Sequence, residues 1–231
     1  MPTLKLDRTF AWLGGGLFAC SLILCAYAYQ VRWGRTEGAG RQPIGAVLLD
    51  ATVFTLFAVH HSLFAREPFK AWMSGAVPAG LVRSIYVWTA SLLLILVVVA
   101  WQPIGGEVYR ASGWTRWAHA LVQLAGLGLI ARSVQVIDAL ELAGLRTSDR
   151  PAALQTRGPY RLVRHPLYLG WMLIVLGTDH LTGDRALFAA MTIAYLVIAM
   201  PWEERSLERT FGDDYARYRR DVRWRVIPFV Y

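Results

Sequence analysis

The chain has 231 residues, of which 55% are hydrophobic, with ten Trp, a formal net charge of +8 and a mean hydropathy of +0.37. Soluble domains seldom carry several uncharged apolar runs in succession, so these values exclude an ordinary soluble protein. They describe an all-α, polytopic membrane helix bundle of five to six transmembrane segments with a cytosolic C-terminal helix, a single domain divided into N-terminal helices (1–140) and a C-terminal part (141–231).

A helical span needs ~20 apolar residues, and six runs qualify or come close: Phe10 to Val31, Ile44 to Phe64, Leu81 to Trp101, Trp117 to Leu140, Leu167 to Leu181 and Arg185 to Met200. The first has Lys5 and Arg8 ahead of it and Ala26-Tyr27-Ala28 behind, which mimics a signal peptide, but five further apolar segments favour a retained anchor. The last two are short and read as a hairpin that tilts or stops short of a full crossing. With six crossings and the N-terminus inside, Lys5, Arg8, Arg66, Lys70, Arg83, Arg146, Arg150, Arg157, Arg161 and Arg164 lie on the inner face with the Arg-rich tail. Only Arg32, Arg35, Arg41, Arg110, Arg116 and Arg185 lie outside, so the positive-inside rule puts both termini in the cytoplasm.

Other residues carry weaker signals. Cys20 and Cys25 share the first span with no partner at zinc spacing and read as packing residues, and no metal is expected. His60 and His61 close the second span. Arg132 and Asp138 are the ions of the fourth segment, and charges at that depth normally face a bundle interior. Asp179 and His180, at the outer turn of the hairpin, are expected to be exposed. The basic tail interleaves Asp213, Asp214 and Asp221 with aromatics, which suits a folded cytosolic helix and no nucleic-acid partner.

Two stretches carry chemistry. The first is RGPYRLVRHPLYLGW, Arg157 to Trp171, a cationic and aromatic collar at the mouth of the fifth segment. Gly158-Pro159 marks a turn, and Pro166 suits the first turn of a helix starting near His165. The open N–H groups of that turn, with Arg164 and His165, offer a place for a carboxylate or phosphate. Interfacial anchoring would account for this collar taken alone. The second stretch is Glu203-Glu204, just past the sixth segment. A hairpin returns its ends to each other, which brings the pair toward His165 and Tyr168. Neighbouring helical positions point ~100° apart, so one Glu faces a pocket and the other water. An acid beside a cationic collar is what a zwitterionic ligand such as S-adenosylmethionine requires.

The run GPYRLVRHPLYLGW, then EERSLERTFGDDYARYRRDV and IP, resembles the isoprenylcysteine carboxyl methyltransferase and phospholipid methyltransferase superfamily of membrane enzymes, over Arg157 to Pro228. The N-terminal FAVHHSLFAREPFKAWM, with VRSIYVWTASLLLIL and WQPIGG, is similar to the methanethiol S-methyltransferase branch and more loosely to NnrU-type membrane proteins. The resemblance implies a methyltransferase dependent on S-adenosyl-L-methionine, with Tyr160, His165, Pro166, Tyr168 and Glu203 contacting the cofactor and Ala152 to Gln155 beside it. Gln155, Arg164 and Glu204 complete the expected cofactor set, and His61 and Arg132 are the expected catalytic pair.

In the prenylcysteine enzymes a basic residue one turn before the acidic pair holds the substrate carboxylate. Here that position is Ala199, so a buried carboxylate would lack its partner. A small or lipophilic thiol needs only deprotonation, a task for His61 or His60. Membrane lipid is the other expected partner. A prenylcysteine carboxylate, a phospholipid amine, or a non-enzymatic accessory role are the competing readings.

Overall fold

The structure, a computed structural model, describes residues 2–37, 43–64, 66–137, 140, 143, 145 and 153–231. Arg41, Asp138, Arg146, Arg150 and Ala152 lie outside the described residues. In chain order the elements are α1 (Pro2–Gln30), α2 (Pro43–Leu63), α3 (Glu67–Ser74), α4 (Ala79–Ala100), β1 (Glu107–Arg110), α5 (Trp114–Ile137), α6 (Pro166–Leu176), β2 (His180–Thr182), α7 (Gly183–Phe211) and α8 (Asp213–Asp221). Among the described residues, five segments are long and apolar enough to cross a membrane: Asp7–Gly34, Ile44–Leu63, Leu81–Ala100, Trp114–Ile137 and Gly183–Phe211. The chain is an integral membrane protein built as the expected helix bundle. One addition escaped the sequence: β1 and β2 pair as a two-stranded sheet.

The chain divides into two compact units, the first comprising Met1–Gly106, Leu140–Asp149 and Thr182–Asp184. Here α4 packs on α1 and α2. Trp88 of α4 stacks on Phe10 of α1 with ring centroids 5.3 Å apart and donates its indole N–H to the Phe10 carbonyl at 3.0 Å. At one end of α4, Trp101 packs on Trp33 at 4.5 Å. Arg32 covers an open carbonyl of that helix end, donating to Val98 O at 2.8 Å, as basic side chains do at helix C-termini. Asp184 is buried in the same place. Its carboxylate accepts the Trp101 indole N–H at 2.7 Å and the backbone N–H groups of Ile104 at 2.9 Å and Gly105 at 3.0 Å.

The second unit comprises Glu107–Ala139, Arg150–Leu181 and Arg185–Tyr231, and α5 against α6 is its main helix contact. Two glycines face each other there. A Cβ on Gly126 would sit 2.6 Å from Gly170 O, and one on Gly170 would sit 2.9 Å from Gly126 O. Small residues permit such approach where hydrocarbon solvent gives helices no hydrophobic reason to associate. Gln123 of α5 fastens the far end, donating to Ile174 O at 2.9 Å.

Three sequence expectations change. The sixth segment does not stop at Met200: α7 runs 29 residues to Phe211 through Pro201. The residues after Pro201 are good helix formers. At ~1.5 Å per residue α7 spans ~43 Å, more than the ~30 Å hydrocarbon core, so its last turns leave the membrane. The fifth segment is helical only over Pro166–Leu176. Its outer turn is not a loose loop: His180 is buried, pairs with Glu107 at 2.8 Å and meets Arg110 at 3.1 Å, while Asp179 pairs with Arg116 at 2.9 Å.

Two substitutions test these contacts. Gly126→Leu forces α5 off α6 and should cost about 3 kcal/mol, read as a fall in the melting temperature in detergent. Asp184→Ala strands a buried indole N–H and two backbone N–H groups, with an expected loss of about 3 kcal/mol in the same assay.

Candidate functional site

The collar and the acidic pair meet in the second unit. The chain enters through a 3₁₀ turn at Gly158–Arg161, for which Gly158 adopts a left-handed φ of 59°. His165 is the N-cap of α6 and Pro166 its first residue. On the facing helix, Glu203 is exposed and Glu204 is 5% exposed, the one-in, one-out division expected of adjacent helical positions.

Arg164 is the hub of the buried side. Its Nε donates to Glu204 Oε1 at 2.7 Å, and its Nη1 donates to the carbonyls of Val222 at 2.8 Å and Arg223 at 2.7 Å. Arg225 grips the other carboxylate oxygen, Nε to Glu204 Oε2 at 3.0 Å. His165 lies between the two acids, its Nδ1 3.5 Å from Glu203 Oε2 and its Nε2 3.4 Å from Glu204 Oε1. The Tyr168 hydroxyl donates to Glu203 Oε2 at 2.5 Å, and its ring stacks on the His165 ring at 5.2 Å.

The electrostatics follow from this geometry. Burial pushes the His165 pKa down, but hydrogen bonds and charge from Glu203 and Glu204 outweigh it, and the net direction is up from 6.5. Burial raises the pKa of Tyr160, Tyr215 and Tyr218 well above the usual phenol range, so all three act as neutral hydroxyls. Tyr218 donates to the Tyr160 carbonyl at 2.7 Å, tying α8 to the 3₁₀ turn.

Beside this ion cluster lies a cleft of about 810 Å³ lined by Leu154, Arg161, Phe211, Asp214, Tyr218 and Asp221 among others. Its size is that of a small-molecule site. Gln155 is half-buried beside the cleft-lining Leu154 and Thr156, its amide turned toward the Ala153 carbonyl at 3.4 Å. At the ion cluster Glu203 offers an exposed carboxylate and Tyr168 an aromatic face, and the cleft has room for a small molecule.

The structure thus brings together Tyr160, Arg164, His165, Pro166, Tyr168, Glu203 and Glu204. The tail takes the two backbone donors just ahead of α6, Arg164 N–H bonding to Trp224 O at 2.9 Å and His165 N–H to Arg225 O at 2.8 Å, while Tyr168 N–H in the first turn bonds to His165 O at 3.1 Å. Arg132 is exposed on α5 instead of facing a bundle interior. In the first unit His61 is exposed, with Nδ1 2.9 Å from the Tyr86 hydroxyl, whereas His60 is buried with neither ring nitrogen hydrogen-bonded among the described residues. Sequence reasoning missed Arg225. Its only sequence signal was membership of the Arg-rich tail.

The phospholipid methyltransferase family matches residues 116–214. Methanethiol S-methyltransferase 2 of Bradyrhizobium diazoefficiens is 36% identical over 185 residues, covering 77% of this chain and 71% of that protein. The methanethiol S-methyltransferase of Crocosphaera subtropica is 32% identical over 242 residues, 97% of this chain and 94% of its own. Nurim of Sus scrofa is 31% identical over 175 residues, covering 68% and 66%. The chain belongs to the phospholipid and isoprenylcysteine carboxyl methyltransferase family and is a membrane methyltransferase.

A folded-state pKa raised above 6.5 means that His165 contributes stability in full below that value and loses it as pH rises through the higher one. Thermal unfolding from about pH 5 to about pH 9 should show this decline in the native protein and lack it in His165→Gln.

Proposed function

We propose that the enzyme uses S-adenosylmethionine to methylate the sulfur of a small thiol, from the cytoplasmic face of a bacterial inner membrane in which both termini lie inside. The observation that carries this reading is the convergence of His165, Tyr168, Glu203 and Glu204 at the paired ends of α6 and α7. Relatives named methanethiol S-methyltransferases match most of the chain, which favours a thiol. Ala199, where the prenylcysteine enzymes carry a basic residue, disfavours a carboxylate acceptor.

When bound, the donor supplies a methyl group activated on a cationic sulfur. The protein's part is placement and shielding, which provide much of the rate in such in-line displacements. Glu203 and the Tyr168 ring hold the cationic end, His165 orients both by its ion pair and stacking, and Tyr160 and Gln155 flank the cleft side. His61 is the base proposed for the thiol proton, and within its own unit its Nδ1 lies 2.9 Å from the Tyr86 hydroxyl. Held by Glu203 and Tyr168, the donor would supply the methyl group and keep the electrons of the C–S bond it gives up. Arg132, exposed on α5, has no part in this scheme.

The test is purified protein in lipid nanodiscs with isotope-labelled donor and methanethiol. Label in volatile dimethyl sulfide is expected, and Glu203→Gln should raise the donor KM about tenfold or more. Label recovered only in phospholipid or in a base-labile ester would overturn the thiol assignment. Failure of the native protein to bind S-adenosylhomocysteine would overturn the donor.

A further inference from the structure

Glu204 is a buried carboxylate whose two oxygens are taken by different parts of the chain. Arg164, from the collar, holds Oε1, while Arg225, from the segment after α8, holds Oε2. Arg225 also engages the collar through its backbone, accepting the His165 N–H at 2.8 Å. One residue therefore fixes both the acid on α7 and the histidine that caps α6.

Arg225 is itself steered from the other side. Its Nη1 donates to the Tyr231 hydroxyl at 2.7 Å, and its guanidinium lies 5.2 Å from the Tyr231 ring centroid. A tight turn brings Tyr231 there: the Val226 and Ile227 N–H groups bond to Tyr231 O at 2.8 and 3.0 Å, and the Tyr231 N–H returns to Ile227 O at 3.0 Å. Phe229 sits at φ 67° within it, a left-handed backbone that large side chains rarely adopt. A strained turn that aims an aromatic hydroxyl at a guanidinium is over-determined by its contacts, as strained backbone at working sites commonly is.

We infer that Arg225, braced by Tyr231, is a positioning residue of the donor site, holding Glu204 Oε2 so that only Oε1 meets His165 and the imidazole remains engaged with Glu203 and Tyr168. This rests on the donor reading above. With Arg225 in place, Glu204 shares its charge among Arg164, Arg225 and His165. Without it, the freed Oε2 turns toward the imidazole, and the donor-facing pair of Glu203 and Tyr168 loses its orienting partner. The groups facing the His165 ring are Glu203 and Glu204 from α7 and Tyr168 on α6, and around Glu204 stand Arg164 from the collar, Arg225 from the tail and Tyr215 of α8. Of these, Arg225 is the cation that can be removed while Arg164 still neutralises the buried acid.

The experiment uses the full chain in nanodiscs with Arg225→Gln, Arg225→Lys and Tyr231→Phe. Two quantities are measured: S-adenosylhomocysteine affinity, and the His165 titration by NMR of histidine-labelled protein without ligand. Arg225→Gln should weaken binding about tenfold and move the His165 titration to higher pH by about half a unit, because a repelling cation is lost and a carboxylate is freed. Arg225→Lys should keep the titration near native while recovering only part of the affinity, since an ammonium lacks the fork that reaches Glu204 and Tyr231 together. Tyr231→Phe, which keeps the ring and removes the hydroxyl, should shift both readouts in the Arg225→Gln direction by less. A fall in melting temperature with the His165 titration unchanged in all three variants would make Arg225 merely structural and overturn the inference. The titration needs no ligand, so it decides this point even if the native protein fails to bind S-adenosylhomocysteine, the outcome that instead removes the donor reading.

Discussion

A carboxylate removed from water must be compensated or it will not stay charged, and Glu204 is the place where this chain meets that demand. Three cationic side chains converge on it from the collar and the tail. Removing any partner leaves an incompletely paired buried charge, so the arrangement holds α7, the entrance to α6 and the segment after α8 together. Arginine suits the central position because its planar fork bonds several acceptors at fixed angles. Arg164 uses it to reach Glu204 and two successive carbonyls of the tail. A lysine there could neutralise the acid but not gather the tail.

The hairpin that delivers these groups has arms of unequal helical length. From Gly183 to Glu203, α7 rises ~30 Å. Opposite it α6 contributes only 11 residues, or ~16 Å. The non-helical residues from Gly177 through the end of β2 make up the difference at up to ~3.3 Å each, which is why His165 arrives level with Glu203 instead of half a membrane away. Pairing of β2 with β1 satisfies backbone groups that a helix would otherwise have satisfied internally, and the His180 ring adds side-chain bonds to Glu107 and Arg110. The close glycine contact of α5 with α6 then secures the short arm laterally.

Much of this was legible in the sequence, and the parts that were not share a physical cause. Apolar run lengths reported the spans, Pro166 reported the start of α6, and the 100° step between neighbours reported that only one of Glu203 and Glu204 would be buried. Each signal is local. By contrast, the capture of the Arg164 and His165 N–H groups depends on the carbonyls of Trp224 and Arg225, dozens of residues away. The roles of Arg225, His180 and Asp179 likewise depend on partners that no spacing announces. Arg132 shows the opposite failure: a general expectation about intramembrane charge pointed inward, yet the side chain is exposed near the end of α5, where a long arginine can reach the headgroups.

The distribution of satisfied and unsatisfied groups bears directly on what the proposed site can accept. Arg164, Arg225 and Glu204 bond to one another and to backbone, so displacing any of them exposes a buried charge. Glu203 is different: it is exposed, and its partners are a tyrosine hydroxyl and a histidine that already has Glu204. An incoming group can trade for those contacts without dismantling the core of the cluster. What such a carboxylate, backed by an aromatic ring, attracts is positive charge. An anion entering the same space would face Glu203 with the nearest cations already committed. On the proposed reading, the cluster therefore selects the cationic portion of the donor, and the product, which keeps its ammonium and carboxylate but has lost the sulfonium charge, is held less tightly and released.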